Sequence, residues 1–312
     1  MKIRPMLIML QSVFLILSGG CLTNSSAAAP APTVLRDFPP DLLLLPQESD
    51  VTEKAENAGI DYGNADQGYI MAWYSGPKNA KIQIVKTDDG EGQSQQWSYD
   101  VDQTGVKEVL PLQEGSGSYR IVVAEQIEGT RYSPLVSVEF DVAIADDLLP
   151  FLYPNKYVMY SPESFLTQKA WELTRGCTSD IEALNEIYVF VKEFIKYDST
   201  KAETIENFYT PDPDAVLADG KGICMDYASL VCAMLRANHI PAKMITGKVE
   251  DNLNHAWNAI YLENEGWVDV RLYLEANHWE LIDLTFAAGN ISSEKLAKYI
   301  GGGEKYTALK VY

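Results

Sequence analysis

The run Gly220-Lys221-Gly222-Ile223-Cys224-Met225-Asp226-Tyr227-Ala228-Ser229-Leu230 sets a cysteine between two glycines and an apolar stripe. Tyr227, Leu230, Val231, Met234 and Leu235 recur at i, i+3, i+4, i+7 and i+8, the spacing of one helix face. Asn238 suits a left-handed helix cap, and Pro241 stops the helix soon after. Cys224 therefore opens the helix. Unpaired N–H groups and the positive end of the helix dipole favour a thiolate there, so the position predicts a lowered thiol pKa. Gly222 lets another backbone or a substrate come close. Cys232 lies about two turns further along the same helix and belongs to the core. Asp226 is placed to accept from helix N–H groups.

Downstream, Asn254-His255-Ala256-Trp257-Asn258-Ala259-Ile260-Tyr261 reads as a strand, and His255 can act as a base beside the thiol. Trp279-Glu280-Leu281-Ile282-Asp283-Leu284-Thr285-Phe286 reads as a second strand. It carries a carboxylate in apolar surroundings, where aspartate is rare unless paired. A base held by a third group beside a thiol is the logic of an activated nucleophile, here in the chain order Cys224, His255, Asp283. Asp269, within Gly266-Trp267-Val268-Asp269, is a rival carboxylate nearer to His255 in sequence. Cys177 falls between two helices, and its pairing is not readable. His239, after the helix, and His278, in a turn beside Asn277, suit surface roles.

The pattern Gly-x-Cys-x-Asp-Tyr-Ala on a helix, then Leu235-Arg236-x-x-x-Ile240-Pro241-Ala242-Lys243-x-x-x-Gly247, His255-Ala256-Trp257-Asn258 and Trp279-x-x-x-Asp283-x-Thr285-Phe286, resembles the transglutaminase-like superfamily of papain-type cysteine fold. The resemblance covers residues 180–290 and extends more weakly through Phe208-Tyr209-Thr210-Pro211-Asp212 and Val216-Leu217. It implies Cys224 as nucleophile, His255 as general base and acid, and Asp283 as the orienting carboxylate. The implied chemistry is acyl transfer from protein or peptide amides through a thioester, ending in a crosslink or in hydrolysis. No cofactor is implied. Two departures stand out: Leu284 replaces the proline of the usual Asp-Pro-Thr, and the His255–Asp283 spacing is wider than the family's. Asp283 is preferred to Asp269 because Ile282-Asp283-Leu284-Thr285-Phe286 matches the motif on both sides. The intervening segment then becomes an inserted β-excursion. The alternative is a non-catalytic surface binding module built on the same fold. No D-x-[DN]-x-[DN]-G run is present to hold calcium.

Ahead of this region, residues 59–147 carry short β-branched and aromatic runs: Tyr69–Tyr74, Lys81–Lys86, Gln96–Val101, Val106–Leu112, Ser118–Gln126 and Val136–Ile144. Turn signals separate them, and Val136, Val138, Phe140 and Val142 alternate onto one face. The pattern predicts a small β-sandwich with Trp73 and Trp97 in its core. From residue 148 helices come first and strands after. Ser161-Pro162 is read as one helix start, and the capping box Ser179–Glu182 as another, running to about Lys196. The fold class is thus multidomain: an all-β sandwich over 59–147, then an α+β papain-like, transglutaminase-like domain over 148–312. The rear half also resembles a group of extracytoplasmic Gram-positive lipoproteins with a β-sandwich ahead of such a domain.

Lys2 and Arg4 precede the apolar run Met6–Leu17, followed by Ser18-Gly19-Gly20-Cys21. Residues 1–20 read as a lipoprotein-type signal peptide, the apolar run being too short for a span of ~20 residues. Cys21 resembles the lipidated cysteine of a lipobox, although Ser18 stands where leucine is usual. The alternative is plain secretion with cleavage near Ala27–Ala29. Residues 21–58, Ser/Ala/Pro-rich and then charged, read as a tether. The expected place is the outer face of the cell membrane, held by the lipid, with a protein or peptide substrate at the cell envelope. In the 312 residues, 25 Lys+Arg against 44 Asp+Glu give a net charge of -19, which repels phosphate backbones and argues against nucleic acid. Four cysteines without a CxxC pair, and three histidines, argue against a zinc site.

Overall fold

Short β-branched runs broken by Gly, Pro and Asp fold into eight strands before the first long helix. They are β1 (Thr52–Lys54), β2 (Ala58–Asp61), β3 (Tyr69–Tyr74), β4 (Ala80–Thr87), β5 (Gln95–Asp100), β6 (Glu108–Pro111), β7 (Gly117–Glu128) and β8 (Arg131–Val142). The computed structural model describes residues 40, 42–87, 94–205, 209–248, 254–263, 266–270, 273–275, 278–280 and 307–312. Cys21, the signal segment and Asp283 lie outside the described residues. Two antiparallel sheets form, in the orders β1-β2-β3-β6 and β5-β4-β7-β8. Along β8, Val136 is buried while Ser137, Glu139 and Asp141 are exposed, the alternation of a strand with one wet face. Ile60, Ile70, Ala72 and Leu110 of the first sheet share one buried cluster with Ile82, Ile84, Ile121 and Val123 of the second. Trp97 is in that cluster; Trp73 is half-buried, with the Lys107 ammonium 5.0 Å from its ring.

The helical part begins with α1 (Phe165–Thr174) and α2 (Asp180–Phe194). Ser161-Pro162 does not start a helix: the Ser164 N–H donates to the Ser161 carbonyl at 3.2 Å, closing a turn, and α1 follows with Ser164 as its cap. The α2 cap is as expected, Ser179 Oγ accepting from the Glu182 N–H at 3.3 Å. Next come β9 (Lys196–Tyr197), α3 (Ser199–Thr204), α4 (Pro213–Asp219), β10 (Lys221–Gly222) and α5 (Cys224–Arg236). Every α5 residue from Asp226 to Arg236 is buried, the mark of a central helix. It packs against α1, α2 and α4 and against the sheet that follows. The left-handed residue after α5 is His239 (φ 56°), not Asn238. Asn238 is held instead by its buried side chain, which donates to the Met234 carbonyl at 3.0 Å and accepts from Thr174 Oγ1 at 2.8 Å.

The last sheet has the order β13-β12-β11-β16, with β11 (Ala242–Lys248), β12 (Asn254–Leu262), β13 (Gly266–Val270) and, later in the chain, β16 (Thr307–Val311). Between β13 and β16, β14 (Tyr273–Glu275) and β15 (His278–Glu280) pair as a hairpin. The described part of the excursion between His255 and Asp283 is thus β-structure. The polar Asn258 of β12 reaches α5, donating to the Ala228 carbonyl at 2.9 Å and to Cys232 Sγ at 3.1 Å. The buried cluster of the N-terminal sheets continues through Leu184, Ile187 and Leu230 to Tyr312. Tyr312 packs on Tyr157 at 4.1 Å and on Tyr99 of β5 at 6.2 Å. All described residues accordingly lie in one compact unit. Among them, no helix is long and apolar enough to cross a membrane.

Candidate active site

Ile223 precedes α5 in an extended conformation (φ -108°, ψ 178°) and has no side chain able to cap it. The cap comes from inside the helix: Asp226 Oδ2 accepts the Ile223 N–H at 2.8 Å. That closure needs room at Gly222, which pairs with Tyr197 in the parallel β10–β9 bridge. A Cβ on Gly222 would lie 2.6 Å from Asp226 Cβ and 3.0 Å from its Oδ2. The first of these is the stem of the side chain, which cannot swing aside. Gly222→Ala is therefore expected to lower stability by about 1–3 kcal/mol through overpacking. Urea unfolding checks this; a loss under about 0.5 kcal/mol, the range of a neutral surface change, would show that the loop relaxes freely.

Cys224 is half-buried at the first position of α5. Three backbone N–H groups lie near enough to its sulfur to lower the thiol pKa: those of Ala256 in β12, of Met225 and of Cys224 itself. They favour the thiolate, as the helix start predicts. Burial outweighs them and, with the charge of Asp226, pushes the Cys224 thiol up. The sequence expectation of a lowered pKa is therefore corrected: the helix terminus is present, but desolvation wins. His255 is the second residue of β12, half-buried, opposite Gly247 of β11, and its ring stacks on Trp257 at 6.3 Å. Ala256, whose N–H reaches the sulfur, is its immediate neighbour. The fold thus brings the thiol to the β12 segment that carries the histidine. Among the described residues, β13 pairs with β12 from Asn258 to Leu262.

Asp269 stands in register with Ala259, four residues along β12 from His255. At ~3.3 Å per residue that is about 13 Å, beyond the reach of an aspartate for an imidazole. Cys232 is buried, and its thiol is pushed up to about 11, mainly by burial. Cys177 is half-buried and is raised by burial and by Glu186 and Glu182. His239 is half-buried after α5, and His278 opens β15 opposite Glu275. A cavity of about 370 Å³ between the N-terminal sheets and the helices is lined by Asp102, Glu108, Lys156, Met159 and Thr210 among others; Cys224 and His255 do not line it. Among the described residues, no three His, Cys, Asp or Glu side chains are grouped to hold a metal ion.

Two groups behind Cys224 escape sequence reasoning. Asp226 is fully buried, and besides Ile223 it accepts from Lys201 Nζ at 2.8 Å and from Tyr209 Oη at 2.6 Å. Lys201 sits on a six-residue helix with no apolar pattern and gives no signal in the sequence. Tyr209 belongs to the weakly matching run Phe208–Asp212, where its spacing to the nucleophile could have flagged it.

The family model of the transglutaminase-like superfamily matches residues 167–272, from α1 to just beyond β13. Kyphoscoliosis peptidase of Mus musculus is 24% identical over 142 residues, 42% of this chain and 19% of that protein. Cytokinesis protein 3 of Schizosaccharomyces pombe is 25% identical over 103 residues, 30% of this chain and 11% of that protein. Red sea bream transglutaminase is similar at 12% identity and a TM-score of 0.31, over 69% of this chain and 49% of that one. The chain therefore spans less than a fifth of the length of these two curated relatives. With the family match centred on α5, its leading cysteine and the β11–β12 pair, residues 167–272 are a domain of the transglutaminase-like superfamily.

Proposed function

We propose that this protein is a cell-surface cysteine enzyme of transglutaminase-like type, acting on protein or peptide amides by acyl transfer. The observation that carries the reading is the contact between Cys224 Sγ and the N–H of Ala256, the residue next to His255. In the proposed cycle Sγ attacks the amide carbonyl while His255 takes the thiol proton. The tetrahedral oxyanion collapses, His255 returns the proton to the leaving amine, and a thioester remains on Cys224. A second amine then forms a crosslink, or water releases the acid. Burial pushes the Cys224 thiol up, so the proposed cycle relies on His255 to take the thiol proton as Sγ attacks. Asp283 is proposed to orient the imidazole. The two N-terminal sheets are proposed to act as a β-sandwich module ahead of the enzyme domain.

Two measurements test this. Iodoacetamide alkylation of Cys224, followed by peptide mass spectrometry, is expected to rise with pH through an inflection above the ordinary thiol value of ~8.5. Incorporation of a fluorescent amine into a glutamine-bearing peptide, or release of its ammonia, is expected to fall at least ~10²-fold in His255→Ala. Turnover that survives Cys224→Ala sinks the proposal. The raised thiol also fits a second reading, a surface binding module that keeps the fold without turnover. For that reading, Cys224→Ala would retain partner binding, and no amide would react with the parent protein.

The placement proposed is the outer face of the membrane, through a lipid on Cys21. The mature protein is then expected in the detergent phase on Triton X-114 partition, and Cys21→Ala in the aqueous phase. A parent protein found wholly in the medium would instead support plain secretion.

A further inference from the structure

Behind the nucleophile lies a polar cluster that the reaction as proposed does not use. The Asp226 carboxylate is fully buried two residues after Cys224. It has three donors: the Ile223 N–H at 2.8 Å, Lys201 Nζ at 2.8 Å and Tyr209 Oη at 2.6 Å. Lys201 also donates to Tyr209 Oη, and its ammonium lies 4.2 Å from the centre of that ring. Each member is held from outside the cluster. Lys201 rides on α3, whose cap Asp198 accepts from the Lys201 N–H at 2.9 Å and pairs with Lys221 of β10 at 3.0 Å. Tyr209 is followed by Thr210, whose hydroxyl donates to Asp102 Oδ2 at 2.6 Å, and the same oxygen takes Lys156 Nζ at 2.7 Å.

We propose that Lys201 and Tyr209 are positioning residues which, through Asp226, fix the start of α5 and set the charge behind Cys224. A lone carboxylate in this place would oppose a thiolate two residues away. The ammonium offsets part of that charge, and the tyrosine hydroxyl fixes the direction of the carboxylate. Tyr197 of β9 also acts on the sulfur, and His255 of β12 is the neighbour of Ala256, whose N–H does so. Neither contacts Asp226 among the hydrogen bonds and ion pairs described. Burial chiefly, and the Asp226 charge to a smaller degree, push the Cys224 thiol up, so the cluster acts on the one side-chain charge named among the influences on that sulfur. The inference rests on the proposed role of Cys224 for its significance.

Its test reads alkylation, not turnover, so the two can fail separately. The rate of Cys224 modification by iodoacetamide is measured from pH 6 to 10.5 in the parent, Lys201→Met, Lys201→Arg, Tyr209→Phe and Asp226→Asn. Below the inflection the rate follows the thiolate fraction. Lys201→Met is expected to slow it about fivefold at pH 7.5 and Asp226→Asn to speed it about fivefold, since a nearby charge moves a thiol by the order of one unit. Lys201→Arg keeps the charge and is expected to keep the parent inflection. Tyr209→Phe keeps the ring and is expected to shift the inflection upward by less than Lys201→Met does. A purely structural cluster predicts something different: lowered melting temperatures, with inflections unmoved or moved in one direction by both charge variants. Either result overturns the inference, as does a Lys201→Arg profile that follows Lys201→Met. If Lys201→Met does not fold, opposite shifts between Asp226→Asn and Tyr209→Phe carry the same decision.

Discussion

Asp283→Asn is expected to slow acyl transfer by about 10⁴-fold, by analogy with triads in which the orienting carboxylate is made neutral. Asparagine keeps the size of the side chain. It removes the charge that steadies the imidazolium and can hold the ring in the wrong tautomer. Asp269→Asn is expected to leave the rate within about twofold, the small effect of a side chain outside the reacting group. The reason is the β12–β13 register. Asp269 is in register with Ala259, and Ala259 is four positions along the strand from His255. A shift of register by two residues would still leave about 6–7 Å of strand between them. Asp283 lies outside the described residues, three positions after the end of β15 at Glu280, and is chosen on its sequence motif. The measurement is single-turnover thioester formation with a glutamine peptide, with circular dichroism to establish the fold of each variant. Loss confined to Asp269→Asn would overturn the assignment. Equal loss in both would mean that neither carboxylate is specific to the imidazole.

The parts of this molecule legible in the sequence are those with a period or a cap. The α5 stripe from Tyr227 to Leu235, the Ser179–Glu182 capping box and the alternating run of β8 each repeat a local rule often enough to be read without tertiary context. Three features were not legible, each for a physical reason. Strands β1 and β2 are 3 and 4 residues long, too short for alternation to register. Ser161-Pro162 satisfies the rule for a helix start, but a turn one step ahead of α1 uses the same residues. The sign of the Cys224 shift depends on how deeply the fold buries the thiol, and the helix rule carries no term for that. Lys201 belongs with this last group: a lysine on a short polar helix gains its role only from the buried carboxylate it meets across 25 residues of chain.

Arg236→Met is expected to lower the unfolding free energy by about 3 kcal/mol, the larger part of it from carbonyls left without a donor. Arg236 ends α5 with its side chain fully buried. Its Nε and Nη2 donate to the Ala242 carbonyl at 2.9 and 2.7 Å, its Nη1 to that of Tyr153 at 2.8 Å, and its Nη2 to that of Tyr312 at 2.7 Å. One guanidinium thus ties the central helix to the start of β11, to the segment after the N-terminal sheets and to the last residue of the chain. Two effects compete in the variant. Removing a buried charge relieves a desolvation penalty, which is why burial makes this guanidinium less willing to hold its proton. Methionine fills a similar volume but offers no donor, and each buried acceptor left alone costs about 1–3 kcal/mol. The Tyr312 carbonyl keeps the Met244 N–H at 3.0 Å, so it is only partly orphaned. That retained bond is why the expected loss stays near 3 kcal/mol and does not reach the sum for three carbonyls. Arg236→Lys should lose less, because an ammonium can still serve one or two of the carbonyls. Urea unfolding at a fixed pH measures both variants, and hydrogen exchange should show the loosening at β16 first. Cys224 lies at the far end of α5, about 18 Å away at 1.5 Å per residue, so its alkylation rate well below the midpoint should not change. An Arg236→Met protein within 1 kcal/mol of the parent would mean that water or the backbone satisfies those carbonyls, and that the side chain is not what joins the last residue to the central helix.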